Sequence, residues 1–306
     1  MNINKFQTEV ATGRFTLPVV VLACLVLWGV STHEWTDLGS LFILVSIGYL
    51  MIEANTTFAL IRTRTALPVS IYWVTCSILF FLHPFEWGNL MALAFMATIF
   101  QFFRSYESPT ASAPVYNAFL CLGLGSLFFP QAIWFVPLLL VSMIPFRTSG
   151  IKNILAALLG LVTPYWFLLG YAFCTNRMPL FLTPIQEMTH ISPIGYNQLP
   201  TNEIISWFFV TLIHTIFGCH YLQMSYIDRT RTRIFHSFLM YAGWWTMVLC
   251  ILQPQHLHVL LPVQVICMSF LGGHLFTLTR NRFSGILFVV IFVSIILLCI
   301  YNLWMQ

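Results

Sequence analysis

Long apolar runs recur from Phe15 to Trp304, and no other feature constrains the fold as strongly. A stretch of about 17–25 apolar residues matches the thickness of a bilayer's hydrocarbon core. Runs of this kind, some shorter, fall at about 15–32, 40–61, 67–83, 87–103, 115–129, 131–146, 152–174, 203–222, 236–252, 257–278 and 284–304. Only 7% of the 306 residues are charged, where a soluble chain carries roughly 25%. A chain with so little polar surface needs lipid as its solvent. The expected fold is therefore all-α, a polytopic transmembrane bundle forming one integral membrane domain over 1–306. The fifth and sixth runs are short and meet at Phe129-Pro130, so the count is eleven spans, or nine plus a re-entrant hairpin. Either count leaves the downstream topology unchanged. The run after Arg14 is read as an uncleaved first span and not a signal peptide, because many further runs follow.

The cationic residues give an independent test of this count. With the N-terminus inside, residues 1–14 form a cytoplasmic segment. One side then receives Lys5, Arg14, Arg62, Arg64, Arg104, Arg147, Lys152, Arg229, Arg231, Arg233, Arg280 and Arg282. The other side receives only Arg177. Such a bias marks cytoplasmic loops and orients the chain N-in, C-out, in the inner membrane. The formal net charge of +4 is thus a topology signal. No basic patch interleaved with aromatics, Gly-rich phosphate loop or zinc-type Cys pairing is present, so nucleic acid is not an expected partner; the lipid bilayer is. The eight Cys lie in or at the ends of apolar runs and read as buried thiols.

The side opposite the basic loops gathers carboxylates and histidines. "HEWTDLGS" (33–40) holds His33, Glu34 and Asp37, and "HPFEW" (83–87) holds His83 and Glu86. The long extracytoplasmic loop 175–202 leads to Glu203, and "QPQHLH" (253–258) contributes His256 and His258. The prolines of the long loop preclude one continuous helix, and its Leu, Ile and Met suit the membrane interface. Carboxylates there can serve as general bases or hold a divalent cation, and Glu34 and Asp37 share a face if helical. Each is equally a polar turn in water. Inside the spans, Glu53 lies nine residues before Arg62, roughly 13 Å deep at 1.5 Å per residue. A carboxylate at that depth is costly and points to function or to a structural partner. His220, eight residues before Asp228, and His274, six before Arg280, lie in the same half of the membrane. With Glu53 they make a candidate proton-linked transport or flippase site. The run "IDRTRTRIFHS" (227–237) reads first as a topology-setting loop.

"HEWTDLGS" and the late "QPQHLHVLLPVQVICMSFLGGHLF" together resemble the C-class glycosyltransferases, multi-pass enzymes that use polyprenyl-phosphate sugars. That resemblance implies Asp37, or failing it Glu34, as base or metal ligand, with Mg or Mn as the metal. It implies His256 or His258 near the phosphate of a polyprenyl-phosphate-linked substrate, and the transferase reading adds His83 as a further phosphate contact. The first outer loop is shorter than the family's, and no adjacent acidic pair is present. Along about residues 50–175 the chain also resembles uncharacterised inner-membrane proteins of Bacteroidota that share the "PVYNAFLCLGLGSLFF" hairpin. A non-catalytic membrane scaffold of an envelope or secretion assembly is a third expectation.

Overall fold

A computed structural model describes residues 3–31, 35–108, 110–189, 195–196, 199–279 and 281–305, with side chains from Gln7 onward. Among these residues the regular structure is helical throughout, and six helices are long and apolar enough to cross a membrane. The chain divides into two compact units, Met1–Phe85 with Ile194–Gln306, and Glu86–Pro193.

The first unit contains α1 (Ile3–Thr12), α2 (Thr16–Ser31), α3 (Asp37–Phe58) and α4 (Leu67–Ile78), followed later in the chain by four more helices. Its expected span 67–83 is helical only to Ile78; Leu79 leaves the helical region and a 3-10 turn, Phe80–Leu82, follows. The second unit supplies α5 (Leu90–Arg104), α6 (Ser112–Phe128), α7 (Val136–Ser142), α8 (Ile151–Cys174) and α9 (Pro179–Thr189). The first unit then resumes with α10 (Thr201–Met224), α11 (Thr230–Leu252), α12 (Leu257–Leu278) and α13 (Arg282–Trp304). Two helices were not expected. The N-terminal segment forms α1, anchored where Gln7 donates to the carbonyls of Phe276 and Thr279 at 2.8 and 2.9 Å. In the loop 175–202, α9 runs through Pro184 but covers only Pro179–Thr189, so no single helix extends across the loop.

Side-chain ties sort the first unit into two ends. Ser31, Asp37, His83, Glu203, His258 and Asn302 meet at one, and Ala11, Arg62, Asp228, His274 and Ser284 at the other. Helices α2, α3, α4, α10, α11, α12 and α13 therefore alternate in direction, as the apolar runs implied. Helix α12 is the centre: its whole spanning stretch is buried. A helix that is predominantly apolar on every side, with most of its few polar groups paired internally, belongs inside a bundle. By contrast α8 and α13 present rows of Leu, Ile, Val and Phe outward, among them Leu159, Phe167, Val290 and Leu297. Such faces suit lipid, where an exposed apolar side chain carries no penalty.

In the second unit α6 and α8 pack backbone to backbone. A Cβ on Gly160 would lie 2.3 Å from the Tyr116 carbonyl oxygen, and one on Gly123 would lie 2.9 Å from that of Leu161. Small residues permit this approach, which is how helices associate when lipid offers no hydrophobic drive. Hydroxyls close the seam: Tyr116 with Thr163 at 3.1 Å, and Ser126 with Tyr165 at 2.6 Å. After Phe129 the chain returns through a 3-10 stretch, Pro130–Phe135, and the short α7. Phe135 rests on Phe95 and Phe146 on Phe102, so this leg runs alongside α5. The two glycines on α8 should separate in an unfolding experiment. Gly160→Ala is expected to lower stability by about 1–3 kcal/mol through overpacking. Gly170→Ala, with no atom within 4 Å of the new methyl, should leave the melting temperature unchanged or raised.

Candidate functional site

At the carboxylate–histidine end of the first unit, two polar groups flank the 3-10 turn Phe80–Leu82. On one side His83 is buried and stacks on Trp28, with ring centroids 3.9 Å apart. Its Nδ1 shares a hydrogen bond with Ser31 Oγ, and its main-chain carbonyl accepts one from Ser40 Oγ. Ser40 also donates to the Asp37 carbonyl at 2.9 Å, which fixes the start of α3 beside the turn. The Asp37 side chain is buried, and its charge acts on His83. Burial pushes the His83 imidazole down to about 4, against the opposing pull of Cys76 and Ser77 main-chain groups and of Asp37. The ring is thus neutral at neutral pH, and its Nε2 is buried without a hydrogen-bond partner.

On the other side, Glu203 at the start of α10 is buried, and its Oε2 lies 3.2 Å from His258 Nε2 at the start of α12. His258 Nδ1 sits 3.3 Å from the Phe81 carbonyl oxygen, and its ring meets the Phe81 ring edge-on. Asn302, from the end of α13, donates to the Ile78 carbonyl at 2.8 Å and to Ser206 Oγ at 3.2 Å. Phe80, Phe81, Asn202 and Asn302 line a cavity of about 130 Å³. The elements bearing Asp37, His83 and His258 thus meet at one end of the unit. His256 is half-buried in the turn before α12. Glu34 and His33, and His190 of the long loop, lie outside the described residues. The sequence marks Glu203 only as a carboxylate that follows the long loop; its chain neighbours give no hint that His258 stands opposite. Among the described residues no three His, Cys, Asp or Glu side chains gather to hold a metal ion, so the divalent cation implied by the glycosyltransferase resemblance finds no donor set there.

The basic end holds a second network. Asp228, in the turn between α10 and α11, receives His274 Nε2 at 2.7 Å and Arg62 at 3.5 Å, with its side chain only 3% exposed. His236 packs 4.7 Å from the His274 ring, and Tyr221 lies against both imidazoles. Burial raises the Asp228 carboxyl, but the hydrogen bond and charge of His274, with His236 and Arg62, outweigh it and hold the group below the usual carboxylate range. His220 is half-buried beside this network. Glu53 sits on the exposed face of α3, where Thr57 donates to it at 3.1 Å; Asp228, not Glu53, is the carboxylate that meets His274. Nothing in the sequence singles out His236, which follows a run of arginines.

Two outcomes test these networks. Asp228→Asn should cost about 3–5 kcal/mol, the loss expected when one partner of a buried pair is removed. Arg62→Gln, whose side chain is 49% exposed, should cost no more than about 1 kcal/mol. Acid should act through His83. Between the unfolded value near 6.5 and the folded value of about 4, the unfolded chain binds one more proton. Stability therefore falls as pH drops through that window and levels off below it. Thermal unfolding in detergent between pH 7.5 and 4.5 should show a smaller decline for His83→Gln than for the unaltered chain.

No family model, no curated protein and no solved structure matches the chain.

Proposed function

We propose that the chain is an inner-membrane protein with a cytoplasmic N-terminus and eleven crossings, and that it transfers a sugar or related group from a lipid-phosphate donor at the outer face. The charge sorting of the first unit supports the orientation: Arg62, Arg64, Arg229, Arg231 and Arg233 fall at one end, Asp37, Glu203, His83 and His258 at the other. The single observation behind the chemistry is the contact of buried Glu203 with half-buried His258 beside the Asn202–Asn302 cavity. In this reading Glu203 takes the proton of the acceptor hydroxyl as its oxygen attacks the anomeric carbon. The bond to the phosphate oxygen breaks, and the lipid phosphate leaves with the electron pair. His258, protonated, faces the departing negative charge, and the two asparagines bind hydroxyls. Asp37 and His83 position the turn that carries Phe80 and Phe81.

A second reading, proton-linked transport, is favoured by one observation: the buried Asp228–His274 pair adjoins a second buried histidine, His236, whose Nε2 has no hydrogen-bond partner. One complementation experiment separates the two. In a deletion host, Glu203→Gln at normal membrane level should accumulate the same lipid-linked intermediate as the deletion, and Asp228→Asn should not. Wild-type lipid profiles from Glu203→Gln would reject transfer at this site. Loss of function confined to Asp228→Asn, with that variant also at normal membrane level, would support transport.

A further inference from the structure

At the basic end of the first unit, a cavity of about 620 Å³ opens between α1, α2, α3 and the loop that follows α3. Its volume is in the range of small-ligand sites. One wall is polar, with Arg62, Thr63, Arg64 and Thr65; the other is apolar, with Leu17, Met51, Ile52 and Val69. No carboxylate is among the lining residues.

The polar wall is a built loop. Ala59 turns the chain out of α3 in the left-handed region, at φ 48°. Asn55 then holds both sides of the loop, donating to the Thr65 carbonyl at 3.3 Å and accepting from the Ile61 amide at 3.2 Å. Thr65 Oγ1 binds the Ala11 carbonyl and caps the Leu67 amide at 3.0 Å. Within this frame Thr63 Oγ1 is buried with no hydrogen-bond partner. Arg62 is committed to Asp228 and the Ile227 carbonyl, whereas Arg64 is exposed. The nearest carboxylate in sequence, Glu53, lies on the exposed face of α3 and bonds to Thr57. A guanidinium with five N–H donors, on a cavity wall that holds a second arginine and no carboxylate, suits an oxygen-rich anion. The adjoining apolar wall suits the first carbons of an acyl chain.

We infer that this cavity binds a phosphate group, that of an anionic phospholipid headgroup or of a soluble phosphate compound. The site is independent of the transfer proposed at the opposite end.

The test uses the purified full chain. Its melting temperature is read in nanodiscs of phosphatidylcholine with and without phosphatidylglycerol, and in detergent with and without millimolar inorganic phosphate. Arg64→Gln is the variant of choice because the side chain is exposed. Thr56→Trp, which fills the cavity from its lining, is the second. Stabilisation by phosphatidylglycerol, weakened about tenfold in apparent affinity by Arg64→Gln and abolished by Thr56→Trp, establishes a lipid headgroup. The same pattern with inorganic phosphate, and none with phosphatidylglycerol, establishes a soluble phosphate compound. Equal responses of the unaltered chain and both variants to every addition would overturn the site.

Discussion

The first unit depends on one buried helix, α12, and on what its polar side chains find. In lipid, apolar contact does little to choose between neighbours, so packing and hydrogen bonds decide which helices meet. Helix α12 carries three polar side chains tied to α10 or to the turn after it. His258 meets Glu203 at the start, Gln264 donates to Thr211 at 3.0 Å in the middle, and His274 meets Asp228 near the end. The ties run in the same order along both elements, so α10 and α12 are parallel, and α11 is the return between them. A shift of one turn, about 5.4 Å, would strand all three polar groups in an apolar interior. Register is fixed more firmly by that cost than by any single bond.

The second unit uses a different device. Its central pair, α6 and α8, is drawn together by glycines at the contact and by hydroxyl pairs along the seam. Backbone proximity does there what buried charge pairs do around α12. The difference follows from composition. Helix α8 meets α6 through Gly160 at Tyr116 and through Leu161 at Gly123 but carries no charged residue beyond Lys152, whereas α12 and its partners bring histidine and carboxylate to both ends.

The apolar runs and the placement of arginines made the alternation of helices in the first unit legible, because both follow directly from the cost of burying charge. The ends of the helices were less so. Span 67–83 stops at Ile78, and no residue type there announces the change. Which face of a helix turns inward was not legible either. Helix α3 is apolar nearly all round, so nothing in its period distinguished the exposed Glu53 from the buried Met51 or Ala54. Pairings across the bundle were harder still. Asp228 and His274 are 46 residues apart, and Glu203 and His258 come from helices whose adjacency only packing decides. Single polar residues could be placed at one end of the unit or the other; their partners could not.

The three ties on α12 are not equivalent. Gln264–Thr211 is deep in the bundle and neutral, so it can fix register without responding to protons. Asp228–His274 is closed over by Arg62 and packed against His236 and Tyr221, an arrangement that would reorganise if any member changed its charge. Glu203–His258 has less around it: His258 is half-buried, Phe81 gives an edge and a carbonyl, and a small cavity stands next to Asn202. Proton exchange with a ligand needs a group that can reach one without unpacking the bundle. Of the three, the Glu203–His258 tie meets that condition at least structural cost, since the other two keep α10 and α12 in register while it changes state.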